Sequence, residues 1–523
     1  MSRALRWWCL VAVVATVVAG CSSAGQTPAA EGPSPSRNGT DMVRFATPYV
    51  VKSLDPIQQG LWSPEWGYGE LLMRATEDGT VEPWLLERLE PESPTAWTLA
   101  LRKNVTFANG KALDAPALKA VFDRHIADNA LVNERIPGIK VTVVDATTLR
   151  LVTTSPVADL PNLLADEQMI SVFDAEAVEK AQDNPATLVG KGIYTGPFNV
   201  TRLTADELVL ERTDTYWGGD VTLAGAHVRF VPDGQARVLA VRNGEADIAL
   251  YPPTEALAAL RKATSGPRMA IARQPLQQLR AFLNLRKAPM NDRAARQAFA
   301  AGIDYAQIAE QVLDGVYTAP TGLFPDAMSY AANTQFSNVD EARKLLDDAG
   351  WRAGTDGVRR KGSTPLAIRL LTYPQQPDTK TIAVAMESQL RPLGFDVTIS
   401  EVPNNYEAMQ NPKGWDVGLS FDGTLGYTYD PVAPLRDFLT SKGSKNFGGV
   451  SDADLDAVVV KLSATTEAKE QAALLREAQG IIADERYTVI VAQRSSPAVV
   501  GEGFASYRPS SVLHHLTATT KAG

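Results

Sequence analysis

The sequence predicts a mixed α/β protein divided into two or more lobes, and three observations carry that prediction. The chain has 523 residues, more than a single hydrophobic core usually serves. Strand-like runs recur along it, at Val43 to Thr47, Trp97 to Arg102, Thr148 to Thr153, Leu208 to Arg212, His227 to Val231, Asp247 to Tyr251, Arg280 to Leu285, Leu366 to Thr372 and Asp396 to Glu401. Several are followed by helical apolar spacing, which argues for α/β and against a pure β-sandwich. With 45% apolar residues the chain can bury a large core.

At the start, Arg3 and Arg6 precede an uncharged apolar run from Trp7 to Val18, and the small residues Ala19 and Gly20 stand before Cys21. That is the layout of an export signal, and its run of about a dozen apolar residues falls short of the roughly 20 that a membrane-spanning helix needs. Residues 1–20 are expected to be removed. Val18-Ala19-Gly20-Cys21 resembles a bacterial lipobox, which implies lipid on the Cys21 sulfur. Cys9 leaves with the signal, so Cys21 is the only thiol of the mature chain and no internal disulfide can form. Residues 21–41, rich in Ser, Pro, Gly and Ala, read as a solvated tether that builds no core. No later apolar run is long enough to span a bilayer, which leaves the lipid as the sole membrane attachment.

Two helices can be placed in detail. Asn338 with Glu341 forms a capping box, Ala342, Leu345, Leu346 and Ala349 share one apolar face, and Gly350 supplies the stop. Asp304 with Gln307 forms a similar box, with Ile308 and Val312 as the buried stripe and Gly315 at the end. Both helices are structural in this reading.

The formal charge of −9, without a Lys/Arg cluster, argues against nucleic acid as a partner. No Gly-x-Ser-x-Gly elbow, Ser-x-x-Lys pair or Gly-x-x-x-x-Gly-Lys loop occurs, so no enzyme activity and no cofactor are expected. The histidines His125, His227, His514 and His515 have no ligand-pair spacing on a helix, so no metal site is expected of them. They read as ordinary surface or strand residues.

Longer landmarks follow one another in a fixed order: SLDPIQQG from Ser53, VEPWLLERLE from Val81, WTLALRKNVTFANGKALDA from Trp97, YTGPF from Tyr194, TYWGG from Thr215, VRNGEADIA from Val241, FLNLRKAPMNDRAARQAFAAGID from Phe282 and DEARKLLDDAGW from Asp340. In this order they resemble the family 5 solute-binding proteins, the oligopeptide-, dipeptide- and nickel-binding members of ABC importers. The resemblance implies a periplasmic-binding-protein-like fold of the large cluster C type, with two lobes, a hinge of two crossing segments and an interlobe cleft. It further implies lobe I at residues 42–278 with an inserted subdomain at roughly 70–190, lobe II at 279–487, and a segment 488–523 returning to lobe I. The implied partners are a small solute or peptide and the ABC permease subunits, with the protein a monomer on the outer face of the cell membrane.

The segment WDVGLSFDGTLGYTYDP, Trp415 to Pro431, resembles the stretch that lines the cleft in this family. Peptide-binding relatives place an Asp three residues before the acid of the final acid-Pro pair. Here that position is Tyr427, so the ammonium anchor is missing or displaced, with Asp422 as a substitute. The nickel-binding branch carries a Thr-aromatic-Gly run and then Tyr-Asp-Pro; this chain keeps Thr424, Gly426, Tyr429, Asp430 and Pro431, but Leu425 replaces the aromatic residue and Val432 replaces the His after the pair. Trp62 and Trp66 follow the SLDP exit among Gly60, Pro64 and Gly67, and their flat faces suit a pocket wall that takes ligands of varied shape. The expected ligand-contacting residues are therefore Trp62, Trp66, Phe421, Asp422, Leu425, Tyr427 and Tyr429. Peptide is favoured over a nickel chelate because peptide binders are the commoner members. A sensory or scaffolding lipoprotein on the same fold is the further alternative.

Overall fold

In the computed structural model, strand Met42–Thr47 lies inside a seven-stranded sheet, and its alternation explains why. Val43 and Phe45 point into one core and Ala46 into another, so the strand is covered on both faces. The structure describes residues 42–523 apart from 78–79, 182–183, 262–264, 375, 377 and 423–427. The lipidation candidate Cys21 and the site candidates Leu425 and Tyr427 lie outside the described residues.

Across this first sheet the strand order is Arg268–Ile271, Pro497–Val500, Ile248–Leu250, Met42–Thr47, Gly225–Phe230, Glu207–Arg212 and Phe198–Leu203. Strand Met42–Thr47 runs parallel to both neighbours. Parallel pairing needs a crossover, and helix Gly234–Arg242, with the Asp233 side chain capping Ala236 N, supplies it between Gly225–Phe230 and Ile248–Leu250. Arg44 holds the crossover's end in register, its guanidinium donating to both carboxylate oxygens of Asp247 at 2.6 and 3.0 Å.

The second sheet orders Asp396–Glu401, Ala367–Thr372, Val417–Asp422, Gln277–Leu283 and Thr488–Arg494. Strand Gln277–Leu283 is buried at every position because it pairs on both edges and carries a core on each face. Leu279, Ala281 and Leu283 enter one core and Phe282 the other. A four-stranded sheet, of strands Leu86–Ser93, Ala96–Leu101, Thr148–Val152 and Lys140–Val143, shares a continuous core with the first large sheet.

The chain passes between the large sheets twice. Residues 272–276 lead from strand Arg268–Ile271 to strand Gln277–Leu283, and residues 495–496 lead back from Thr488–Arg494 to Pro497–Val500. Thr488–Arg494 forms an antiparallel ladder with Gln277–Leu283 before the chain leaves the second sheet.

Each strand run predicted from the sequence is present. Asn338 caps helix Val339–Asp348 by accepting from Glu341 N at 3.0 Å, and Gly350 follows with φ 84°. Asp304 likewise caps its helix, accepting from Gln307 N at 2.9 Å, but the reciprocal half of the box is replaced by Gln389, whose Oε1 accepts from Asp304 N at 3.0 Å, and the helix is shorter than expected. After Gln307 the backbone widens into a π-type turn at Ile308–Val312, with Leu313 N bonded to Ile308 O at 3.0 Å. The reading of the histidines as surface residues is corrected for two of them. His125 is 1% exposed on helix Ala115–Asp128, and His515 is 2% exposed beside Trp66. The helix buries His125 on the apolar face it shares with Leu118 and Phe122.

Candidate functional site

The two crossings leave the second sheet side by side. Gln277, first residue of its strand, stands opposite Arg494, last residue of its own. Arg494 is a buried cation whose Nε donates to Gln277 Oε1 at 2.8 Å and whose Nη1 donates to Tyr317 Oη at 2.8 Å. Its guanidinium carbon lies 4.8 Å from the Phe421 ring centroid and 5.4 Å from that of Tyr317. The Tyr317 hydroxyl donates onward to Asp378, which also accepts from Thr254 Oγ1 at 2.8 Å. Thr254 belongs to helix Thr254–Arg261, between two strands of the first sheet, so this network ties the two halves together beside the crossings.

A cavity of about 230 Å³ opens at this junction. Tyr49, Trp62, Tyr251 and Leu513 line it from the first sheet's side, and Gln277, Phe421 and Arg494 from the second's. Its aromatic wall is ordered by mutual contact: Tyr49 meets Tyr251 edge-on at 4.9 Å and Trp62 at 6.2 Å. Tyr251 has φ 52°, a left-handed conformation that costs a bulky residue about 1–3 kcal/mol and is sustained only by its surroundings. Arg237 provides the support. Its guanidinium donates to Leu250 O at 3.0 Å and Tyr251 O at 2.6 Å, fixing the bend that carries Tyr251 out of its strand. Glu65 completes the wall. It is 4% exposed, and burial pushes its carboxyl well above the usual carboxylate range.

Phe421 also lines a second cavity of about 320 Å³. Arg135, Asp166 and Glu167 enter it from the first half, and Asp430, Asp437 and Lys445 from the second. Arg135 Nη2 contacts Asp437 Oδ2 at 2.6 Å. Asp430 accepts from Val432 N at 2.8 Å and Ala433 N at 3.3 Å, capping the helix Val432–Leu439. Burial, reinforced by the charge of Asp159, raises the Asp430 carboxyl to about 7. Glu167 is raised by burial and then by the charges of Glu65 and Asp166. Four carboxyl groups, Asp166, Glu167, Asp430 and Asp437, and two cations, Arg135 and Lys445, line this second cavity. Among the described residues, no group of three or more His, Cys, Asp or Glu is placed to hold a metal ion.

Of the residues expected at the site, Trp62 and Phe421 line the cavity together. Trp62 opens a single helical turn, Trp62–Glu65. Trp66 is 1% exposed and meets Phe45 edge-on at 5.3 Å, within the first core. Tyr429 is 4% exposed and packs in the core on one face of the second sheet, with φ 55° and with Thr428 and Asp430 beside it on the cavity. The Asp422 backbone pairs with Gln278 at the end of its strand. Glu65, Tyr251, Gln277 and Arg494 were not singled out from the sequence. A carboxylate between two tryptophans, at Trp62 to Trp66, was the one local signal that could have marked Glu65.

Two large sheets joined by two crossings, with two cavities lined from both halves, define a two-lobed solute-binding protein. The chain belongs to family 5 of the bacterial extracellular solute-binding proteins, whose middle-region model matches residues 80–446. It is 28% identical over 471 residues to the nickel-binding periplasmic protein of Escherichia coli strain K12, covering 85% of this chain and 87% of that protein. It is 25% identical over 409 residues to the probable D,D-dipeptide-binding periplasmic protein DdpA of the same organism, covering 76% of each. In fold it is similar to NikA from Brucella suis, solved in complex with Fe(III)-EDTA, with a TM-score of 0.79 and 22% identity over 92% of this chain and all of that one.

Proposed function

We propose that this protein is the extracytoplasmic binding component of an ABC importer, and that it captures a small organic solute, a peptide above all, between its two halves. The observation that carries this reading is the junction cavity, whose aromatic and charged walls come from both halves beside the point where the chain crosses between the sheets. A ligand held there gains contacts that exist only when the halves meet, so binding and closure are linked, with the crossings at 272–276 and 495–496 as the hinge. No reactive side chain is needed, and catalysis forms no part of the proposal.

Removal of residues 1–20 and lipid on Cys21 would tether the protein to the outer face of the membrane through residues 22–41, where it works as a monomer with its permease. No described helix is long and apolar enough to cross a membrane.

A nickel chelate is the second reading, favoured by the similarity to the E. coli nickel-binding protein. A metal delivered inside an organic chelator requires few protein ligands, so the lack of a metal-holding group among the described residues does not oppose it. Thermal unfolding with peptides and nickel chelates separates the two. At a hundredfold excess over Kd, the correct ligand adds about 2.7 kcal/mol of stability. If no solute of either class moves the transition, the importer reading fails; ligand binding with no stimulation of any permease would instead support a sensory lipoprotein.

A further inference from the structure

The junction cavity contains a buried acid that the surrounding protein leaves uncompensated. Glu65, at the end of the turn Trp62–Glu65, is 4% exposed and forms part of the cavity wall. No described residue donates a hydrogen bond to its carboxyl group. The basic atom nearest to it is His515 Nε2, at 3.9 Å, and burial drives the His515 pKa down to about 3, so that imidazole is neutral and supplies no charge. Arg494 lines the same cavity but directs its Nε to Gln277 and its Nη1 to Tyr317. The Glu65 backbone is held in place, its carbonyl accepting from His515 N at 2.9 Å and Leu516 N at 3.2 Å.

A buried carboxyl group without a partner is costly, and structures retain one where something else completes it. The surroundings specify what that would be. Tyr49, Trp62 and Tyr251 present aromatic rings to the same cavity, and a ring face attracts a cation.

We propose that Glu65 is the counter-ion for a primary ammonium group of the ligand, seated among Tyr49, Trp62 and Tyr251, so that the ammonium anchor of this protein comes from its first lobe. The inference rests on the reading of the junction cavity as the ligand site, and it narrows the ligand to a solute with a free amine, such as a peptide with an unblocked N-terminus.

The test uses the purified full chain, a panel of di- and tripeptides, and the same peptides N-acetylated, with affinities read by calorimetry for the wild-type protein and for Glu65→Gln. Free-amine peptides are expected to bind the wild type at least 100-fold more tightly than their acetylated forms, and Glu65→Gln is expected to remove most of that preference. Equal binding of both forms to the wild type would overturn the proposal, whether or not the variant folds, and so would a preference that survives in a folded Glu65→Gln. Should no peptide bind, native mass spectrometry of the co-purified solute decides: a solute with a primary amine supports Glu65 as its anchor, and one without overturns it. If neither added nor co-purified solute is found, the importer reading fails first and this inference with it.

Discussion

Arg494 donates to Gln277 at 2.8 Å, which joins the last residue of one crossing strand to the first residue of the other. The same guanidinium stacks near Phe421 and reaches Tyr317. Replacing it by Met would leave Tyr317 and Asp378 buried with a cation removed from beside them. Breaking a buried charge network on one side costs about 3–5 kcal/mol. Arg494→Met is expected to lose stability of that order in urea titrations, whereas Arg494→Lys keeps the charge but not the fork and should lose less. A change below about 1 kcal/mol in Arg494→Met would show that the junction does not depend on this residue.

Arg135 and Asp437 pair at 2.6 Å although 302 positions separate them in sequence, and both are largely buried. The pair links the region of the four-stranded sheet to helix Val432–Leu439 of the second half. Arg135→Ala should therefore favour an opened ligand-free form, seen as a larger radius of gyration by small-angle X-ray scattering. An unchanged scattering curve would mean the pair does not hold the halves together.

Glu70 sets one arm of the pH dependence. Burial raises its carboxyl from 4.5 to about 7, against the lowering effect of hydrogen bonds from Tyr216 and Trp217, each at 2.6 Å. Between these pH values the folded protein holds a proton that the unfolded chain has released. Stability from this group is thus present below about pH 4.5 and declines as pH rises to about 7, by up to about 3 kcal/mol. Glu70→Gln can still accept from Trp217 and donate to Tyr216, so this variant should flatten that part of the curve. A slope unaltered by the substitution would assign the pH dependence to other groups.

His125 and His515 form the opposite arm. Burial lowers His125 from 6.5 to about 4 and His515 to about 3, and His125 Nε2 sits 2.9 Å from Ser171 O, which requires that nitrogen to carry the proton. As pH falls below about 6.5 the unfolded chain takes up protons first, so stability is lost on the way down to about pH 4. Between pH 7 and pH 5 each histidine should account for about 2 kcal/mol. Denaturant midpoints over that interval, with His125→Asn for comparison, measure the effect. The variant should show the shallower fall, and an equal fall would count against His125.

The strands were legible because β-branched and aromatic residues cluster between turn signals, and helix Val339–Asp348 because its cap and stop are local chemistry. The crossings were not. Ser495 and Ser496 before Pro497 carry only a generic turn signal, and the ladder between Thr488–Arg494 and Gln277–Leu283 is a pairing between segments distant in the chain. The same reason hid most of the site. Glu65, Tyr251 and Arg494 share a cavity because one helical turn, a strained bend and a crossing strand converge. Trp62 and Phe421 could be nominated by residue type and family resemblance. Trp66 matched the same pattern, yet the single turn between them directs Trp62 to the cavity and Trp66 into the core.

The most direct measurement is a crystal structure of the protein with the solute that co-purifies with it. The account predicts that solute in the junction cavity, touching Trp62 or Glu65 on one side and Phe421 or Arg494 on the other. Density for a tightly bound solute elsewhere, with that cavity filled only by water, would contradict it.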